Sequence, residues 1–174
     1  AYVTHLLTQE TDRNGLSFYF MYDGLGEDAW CTRTWGDGGI YDHVLTYDKR
    51  NHVTIVTNSL GEVSKFCMNV AGQVIKEVDP HGMKTLYEYD PVTLALVAQT
   101  DPLGHETRLH YDERGNCCAV ELPDGGSMSL TFHPEFNQPT ELRDPNGEQW
   151  LWEYDGQGRL TGARDPCGAV TLYE

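Results

Sequence analysis

Residues 79–101 read DPHGMKTLYEYDPVTLALVAQTD, a stretch that holds two turns and two strands and then begins again. Asp79-Pro80-His81-Gly82 fits a type I turn residue by residue. Asp bonds its own backbone at the first position, Pro presets φ, and Gly supplies φ > 0 where the chain leaves the turn. From Met83 to Tyr89, Thr85, Tyr87 and Tyr89 alternate with Leu86 and Glu88, the period of two of a strand with one drier face. Asp90-Pro91-Val92-Thr93 breaks that strand, Leu94 to Thr100 is predicted to run back, and Asp101-Pro102-Leu103-Gly104 restarts the pattern. One unit is a β-hairpin.

The unit recurs along the whole chain, and a repeat of this kind decides the fold before any single element does. DPxG returns at Asp144-Pro145-Asn146-Gly147 and Asp165-Pro166-Cys167-Gly168, with looser forms at Asp12 to Gly15, Asp37-Gly38-Gly39, Asn58 to Gly61 and Asp124-Gly125-Gly126. Tyr-Asp stands at Tyr22-Asp23, Tyr47-Asp48, Tyr89-Asp90, Tyr111-Asp112 and Tyr154-Asp155, with degenerate copies at Met68-Asn69 and Phe132-His133. Successive starts lie 25, 21, 21, 22, 21 and 22 residues apart. The long first spacing is absorbed by the loop Gly24-Leu25-Gly26-Glu27-Asp28, where insertion costs little.

Aligning the copies gives one large apolar column: Thr85, Tyr87, Tyr89; Thr107, Leu109, Tyr111; Met128, Leu130, Phe132; Trp150, Trp152, Tyr154. Phe18, Phe20 and Tyr22 share the corresponding face. The opposite column, Glu88, Arg108, His110, Ser129, Thr131 and Glu153 with the exceptional Leu151, is mostly polar, as on a sheet with one solvated face. Return strands alternate less cleanly. Ala1 to Gln9 reads as the latter part of a return strand. The last residues, Thr171-Leu172-Tyr173-Glu174, match Thr85-Leu86-Tyr87-Glu88, so the chain is expected to be a fragment cut at both ends.

Composition excludes several classes. Eighteen glycines among 174 residues and 39% hydrophobic content suit a turn-rich β protein, and no stretch reads as a helix. There is no run of eighteen apolar residues and no charged-then-apolar leader, so neither a membrane span nor a signal peptide is expected. A net charge of −15, with twelve basic residues scattered singly, argues against a phosphate-binding surface and nucleic-acid partners. Cys31, Cys67, Cys117, Cys118 and Cys167 are odd in number and lack a CxxC pair, against a disulfide framework or a zinc site.

Seven hairpins predict an all-β chain of roughly fourteen antiparallel strands, a ribbon about 70 Å long at about 4.8 Å per strand. Twist between strands is expected to curl it into a spiral strip. A single strip cannot bury both faces, so the apolar column is expected to meet another turn of the spiral, another chain or an enclosed object.

Tandem units of DPxG, Tyr-Asp and a short return strand resemble the RHS/YD-repeat family over essentially residues 1–174, about seven repeats of about 21 residues. The run Arg33 to Asp42 (RTWGDGGIYD) resembles RHS effectors of Gram-negative bacteria more than teneurins. The resemblance implies a curved spiral sheet forming part of a β-cocoon, the shell of a polymorphic toxin of type VI secretion-like effectors, which sequesters a C-terminal toxin until delivery. Its implied partners are the rest of the shell, the toxin cargo, and secretion spike or chaperone proteins. The implied route is cytoplasmic synthesis followed by secretion or translocation into a target cell. The family's self-cleaving aspartates lie beyond the repeats and have no counterpart here, so no catalytic residue carries over.

Each sharper reading has a plainer one beside it. Asp90, Asp112 and Asp155 recur after Tyr at a turn, which favours capping of backbone N–H groups over acid–base catalysis. Asp144 to Gly147 lies in neither an EF-hand loop nor a GGxGxD repeat, so no calcium site is read. His5, His43, His52, His81, His105, His110 and His133 mostly fall in different repeats and form no HExxH motif. Cys117 and Cys118, adjacent in a strand, are expected on opposite faces. Trp150 and Trp152 fit inward packing, or the platform of a carbohydrate-binding adhesion module, which is the second functional reading. No enzyme activity, catalytic residue, cofactor or metal is assigned.

Overall fold

The computed structural model describes residues 1–173. Contacts divide the chain into two units, Ala1–Leu86 and a second from Tyr87 onward. The first holds β1 (Tyr2–Val3), β2 (Leu6–Leu7), β3 (Gln9–Thr11), β4 (Ser17–Tyr22), β5 (Cys31–Gly36), β6 (His43–Asp48), β7 (Val53–Thr57), β8 (Val63–Met68), β9 (Val74–Val78) and the start of β10 (Lys84–Tyr89). The second continues with β11 (Leu96–Thr100), β12 (Glu106–Tyr111), β13 (Cys117–Glu121), β14 (Ser127–Phe132), β15 (Pro139–Arg143), β16 (Gln149–Tyr154), β17 (Leu160–Arg164) and β18 (Val170–Leu172). Among the described residues the only helical element is a 3-10 turn at Asp37–Gly39.

From β3 to β18 strands consecutive in sequence are bonded neighbours, sixteen in order with β3 and β18 at the edges, while β1 and β2 pair separately. Strands β4 to β17 make the hairpins, and β3 and β18 take the sheet beyond the fourteen expected. Three local expectations change. Ala1 to Gln9 is not one return strand: Tyr2–Val3 folds back on Leu6–Leu7 through Thr4 at φ 58°. Leu94 is not in β11 but closes the Asp90 turn at φ 61°. The turn before β14 is Leu122-Pro123-Asp124-Gly125, where the Gly125 N–H donates to the Leu122 carbonyl, so Leu122 rather than Asp124 takes the first position.

A β-bulge just before the Tyr-Asp position explains the uneven return strands. In β4–β5, β12–β13, β14–β15 and β16–β17 the register slips by one residue, leaving Thr32, Cys118, Thr140 and Thr161 without an opposite partner. In β8–β9 the extra residue is Ile75. The Thr32, Thr140 and Thr161 hydroxyls donate to the carbonyls of Met21, Thr131 and Glu153 at 3.3, 3.2 and 3.2 Å, and the Cys118 thiol approaches the His110 carbonyl at 3.5 Å. A bulge bends its strand and raises its twist. The next hairpin then pairs with it only briefly: three pairs each for β13/β14, β15/β16 and β17/β18. Strand β7, which has no bulge, pairs with β8 over five.

Where the ladder lapses, the tyrosine of the next hairpin reaches across. Tyr22 donates its hydroxyl to the Leu7 carbonyl at 2.9 Å, Tyr111 to Leu96 at 2.9 Å, Tyr154 to Pro139 at 2.8 Å, and Tyr47 to Cys31. Each bond runs from a Tyr-Asp tyrosine to a strand of the preceding hairpin.

Candidate functional surface

The two sheet faces differ in character. In the second unit, Leu109 and Met128 both lie opposite Val120, and Leu130 and Trp150 both lie opposite Leu142, so the apolar column continues across the return strands as ladders of cross-strand pairs. These side chains are half-buried. The buried apolar residues of the described chain are Leu6 and Ala98. One sheet layer therefore leaves its drier face half in water, where covering it would release about 25 cal/mol per Å² of apolar area. Trp150 and Trp152 belong to this column, at the Leu142 and Ala163 pairings.

The opposite face is laced with charge pairs: Arg108 with Glu106 at 2.7 Å, His110 with Glu121 at 2.9 Å and Arg143 with Glu141 at 2.6 Å. Exposed pairs of this kind contribute little stability and keep the face wetted.

In the first unit the run RTWGDGGIYD folds into a side-chain plate. The Arg33 guanidinium grips Asp42 with two bonds, at 2.9 and 2.6 Å, and lies over Trp35 at 4.9 Å, and Trp35 stacks on Tyr19 at 5.5 Å. The bond from Arg33 holds Asp42 below the usual carboxylate range. Asp37 does not cap its own turn. It accepts from the Ser17 N–H at 2.7 Å and the Tyr19 hydroxyl at 2.8 Å, and the latter bond pushes the Tyr19 phenol up. Gly36 is required here, because a Cβ would stand 2.7 Å from Ile40.

The turn aspartates do the work of backbone groups. Asp112 Oδ1 accepts from the N–H groups of Arg114 and Asn116, both at 2.9 Å, and Asp155 Oδ1 from those of Gln157 and Arg159 at 2.8 and 3.0 Å. Asp90 accepts from Val92 and Thr93 at 2.9 and 2.7 Å. Asp79, Asp101 and Asp144 repeat the arrangement on the DPxG side. Asn58 and Asn69 use their amide oxygens in the same way. At His133 the ring Nδ1 stands in for the carboxylate, 3.2 and 3.3 Å from the N–H groups of Glu135 and Phe136. The bonds from the Thr93 N–H, the Asn116 side chain and the Arg159 N–H are the largest influences holding Asp90, Asp112 and Asp155 below the usual carboxylate range. A carboxylate so engaged is a weak base, and these three sit in separate turns.

The histidines are likewise spread out. His105 pairs with Asp101 at 3.0 Å, His110 with Glu121, and His43 meets the Tyr41 carbonyl at 2.7 Å. All five cysteines are free. Cys117 and Cys118 are not a plain alternating pair, because Cys118 is the bulge residue and its thiol turns to His110. Among the described residues no three His, Cys, Asp or Glu side chains come together as metal ligands, and no helix is long and apolar enough to cross a membrane.

The family model RHS Repeat matches residues 95–127 and 134–170. Toxin protein Tse5 of Pseudomonas aeruginosa is 27% identical over 175 residues, covering 98% of this chain and 13% of that protein. Probable deoxyribonuclease RhsB of Dickeya dadantii is 28% identical over 150 residues, covering 86% of this chain and 9% of that protein. The fold is similar to that in the crystal structure of TcdB2-TccC3 without its hypervariable C-terminal region, with a TM-score of 0.66 and 14% identity over 92% of this chain and 9% of that one. It is also similar to the Photorhabdus luminescens Tc holotoxin pore, with a TM-score of 0.59 and 16% identity over 96% of this chain and 10% of that one. The chain thus spans 13% or less of the length of each of these relatives.

Proposed function

We propose that this chain, whose residues 95–127 and 134–170 match the RHS Repeat family model, is a wall segment of a longer Rhs-type polymorphic toxin, enclosing a C-terminal toxin until delivery into a target cell. The observation that carries the reading is the sheet itself: hairpin follows hairpin without interruption, and in the second unit one face is charge-laced and the other is an apolar ladder left half-covered. A layer of this kind is suited to wrapping something and poorly suited to standing alone. The similarity to Tse5 over nearly the whole chain supports a toxin setting. In this reading the segment does no chemistry, its direct partners are neighbouring shell repeats and the cargo, and secretion spike or chaperone proteins act on the assembled toxin. Synthesis is cytoplasmic, and the protein reaches its target by translocation.

Limited proteolysis of the full-length toxin tests this. The C-terminal toxin domain should resist protease in the intact protein and be digested readily when expressed alone. Equal digestion in both settings would overturn the reading.

A further inference from the structure

The junctions between successive hairpins are not equivalent, and at β13/β14 neither a tyrosine bridge nor a longer ladder follows the bulge. At two junctions of the second unit the backbone ladder stops after three pairs, and the tyrosine hydroxyl of the next hairpin bridges the gap. At β15/β16 the ladder ends at Glu141 and Leu151, and Tyr154 reaches the Pro139 carbonyl. At β11/β12 it ends at Ala98 and Arg108, and Tyr111 reaches Leu96. The degenerate position Met68 needs no bridge, because unbulged β7 pairs with β8 as far as Val53 and Cys67, and the Met68 N–H still donates to the His52 carbonyl at 2.9 Å.

At β13/β14 neither remedy is present. Strand β13 carries the Cys118 bulge, and its ladder to β14 ends at Ala119 and Ser129. The residue at the tyrosine position is Phe132, fifteen residues after Cys117, the same separation that links Tyr111 to Leu96 and Tyr154 to Pro139. Phe has no hydroxyl to give. The bulge is weakly held too, since a thiol at 3.5 Å replaces the threonine hydroxyl used at Thr32, Thr140 and Thr161. An open surface depression lies at this place, and Cys118, Leu130, Phe132 and Pro134 are among the residues that line it.

We infer that the β13/β14 junction is a built-in seam, the place where the second unit parts first. The lateral ties among the Tyr-Asp turns restrain it at one edge: Asn116 and Asn137 exchange side-chain hydrogen bonds, Nδ2 to Oδ1, at 2.6 and 2.9 Å, and Arg114 donates to the His133 carbonyl at 3.4 Å. Parting at the seam is therefore local and reversible rather than a loss of the hairpin. The seam is a property of this chain's own bonds and stands whether or not the sheet encloses a cargo.

Hydrogen–deuterium exchange of the full chain decides it. Peptides across Cys117–Phe132 should exchange faster than those across Leu96–Tyr111 and Pro139–Tyr154. Phe132→Tyr should slow the first by about fivefold, the worth of one net hydrogen bond, and Tyr154→Phe should speed the last by a similar factor. Equal exchange at the three junctions of the unaltered chain would overturn the seam. So would Phe132→Tyr leaving exchange unchanged while Tyr154→Phe raises it, because the missing hydroxyl would then not be the cause.

Discussion

The Tyr154 hydroxyl lies 2.8 Å from the Pro139 carbonyl, and through that bond the last hairpin of the second unit holds the one before it. Burial pushes the Tyr154 phenol up, as it does Tyr22, Tyr47 and Tyr111. The tyrosine of the Tyr-Asp pair is thus half packing and half bridge. Tyr111→Phe and Tyr154→Phe should each lower stability by about 1 kcal/mol, while keeping the ring in the apolar column. Denaturant melts with unchanged m-values check this. A loss as large as that of Tyr154→Ala would show that the hydroxyl carries more than one bond.

Cys118 occupies the bulge position that threonine holds in three other hairpins. Cys118→Thr should supply a stronger donor to the His110 carbonyl and raise stability by a few tenths to about 1 kcal/mol. Cys118→Val, similar in shape without the donor, should not. Thermal melts of the two variants make the comparison.

Leu94 sits at φ 61° in the position of the Asp90 turn that Asn137, at φ 56°, fills in the His133 turn. A branched apolar residue resists the left-handed region, whereas Asn tolerates it. Leu94→Asn should therefore stabilise by about 0.5–1 kcal/mol and Leu94→Val should destabilise, both read from the denaturation midpoint.

Gly147 and Gly158 both adopt positive φ, 83° and 78°, but their surroundings differ. A Cβ on Gly147 meets open space, whereas one on Gly158 would lie 2.9 Å from the Phe136 ring. Both Ala variants carry the backbone cost of about 1 kcal/mol, and Gly158→Ala should lose more by displacing Phe136. Equal melting shifts would contradict that packing.

The turn carboxylates predict the acid limb of stability. Asp48, Asp90, Asp101, Asp112 and Asp155 are all held below the usual range, chiefly by hydrogen bonds from Asn51, Thr93, His105, Asn116 and Arg159. A depressed folded pKa contributes stability in full above the unfolded value of about 3.9, and that contribution fades as pH falls through the folded values. Stability should hold near neutrality and drop below about pH 4. The raised tyrosines act at the other end, their contribution present below about pH 10 and lost as pH climbs through their folded values. Midpoints measured from pH 2 to 11 check both limbs. Asp112→Asn should shallow the acid limb.

Much of this fold is legible in the residues. DPxG marks the turns because Asp and Gly have fixed tasks there, and alternation along Met128-Ser129-Leu130-Thr131-Phe132 shows which side chains share a face. The bulges are not legible. Their extra residues are Thr32, Ile75, Cys118, Thr140 and Thr161, types that suit any strand, and a one-residue slip leaves no mark on composition. The tyrosine bridges are hidden for a related reason: the acceptor is a backbone carbonyl, so Leu7, Cys31, Leu96 and Pro139 need have nothing in common. Leu122 was unreadable as a turn residue because its neighbour Asp124 mimics the expected Asp. The apolar column could be read as a surface to be covered, but a single chain names no partner for it.

Electron cryo-microscopy of the full-length protein tests the central claim most directly. The account predicts a closed wall in which these hairpins stand side by side around a lumen holding density for the C-terminal domain. An extended rod with no lumen, or hairpins detached from one another, would contradict it.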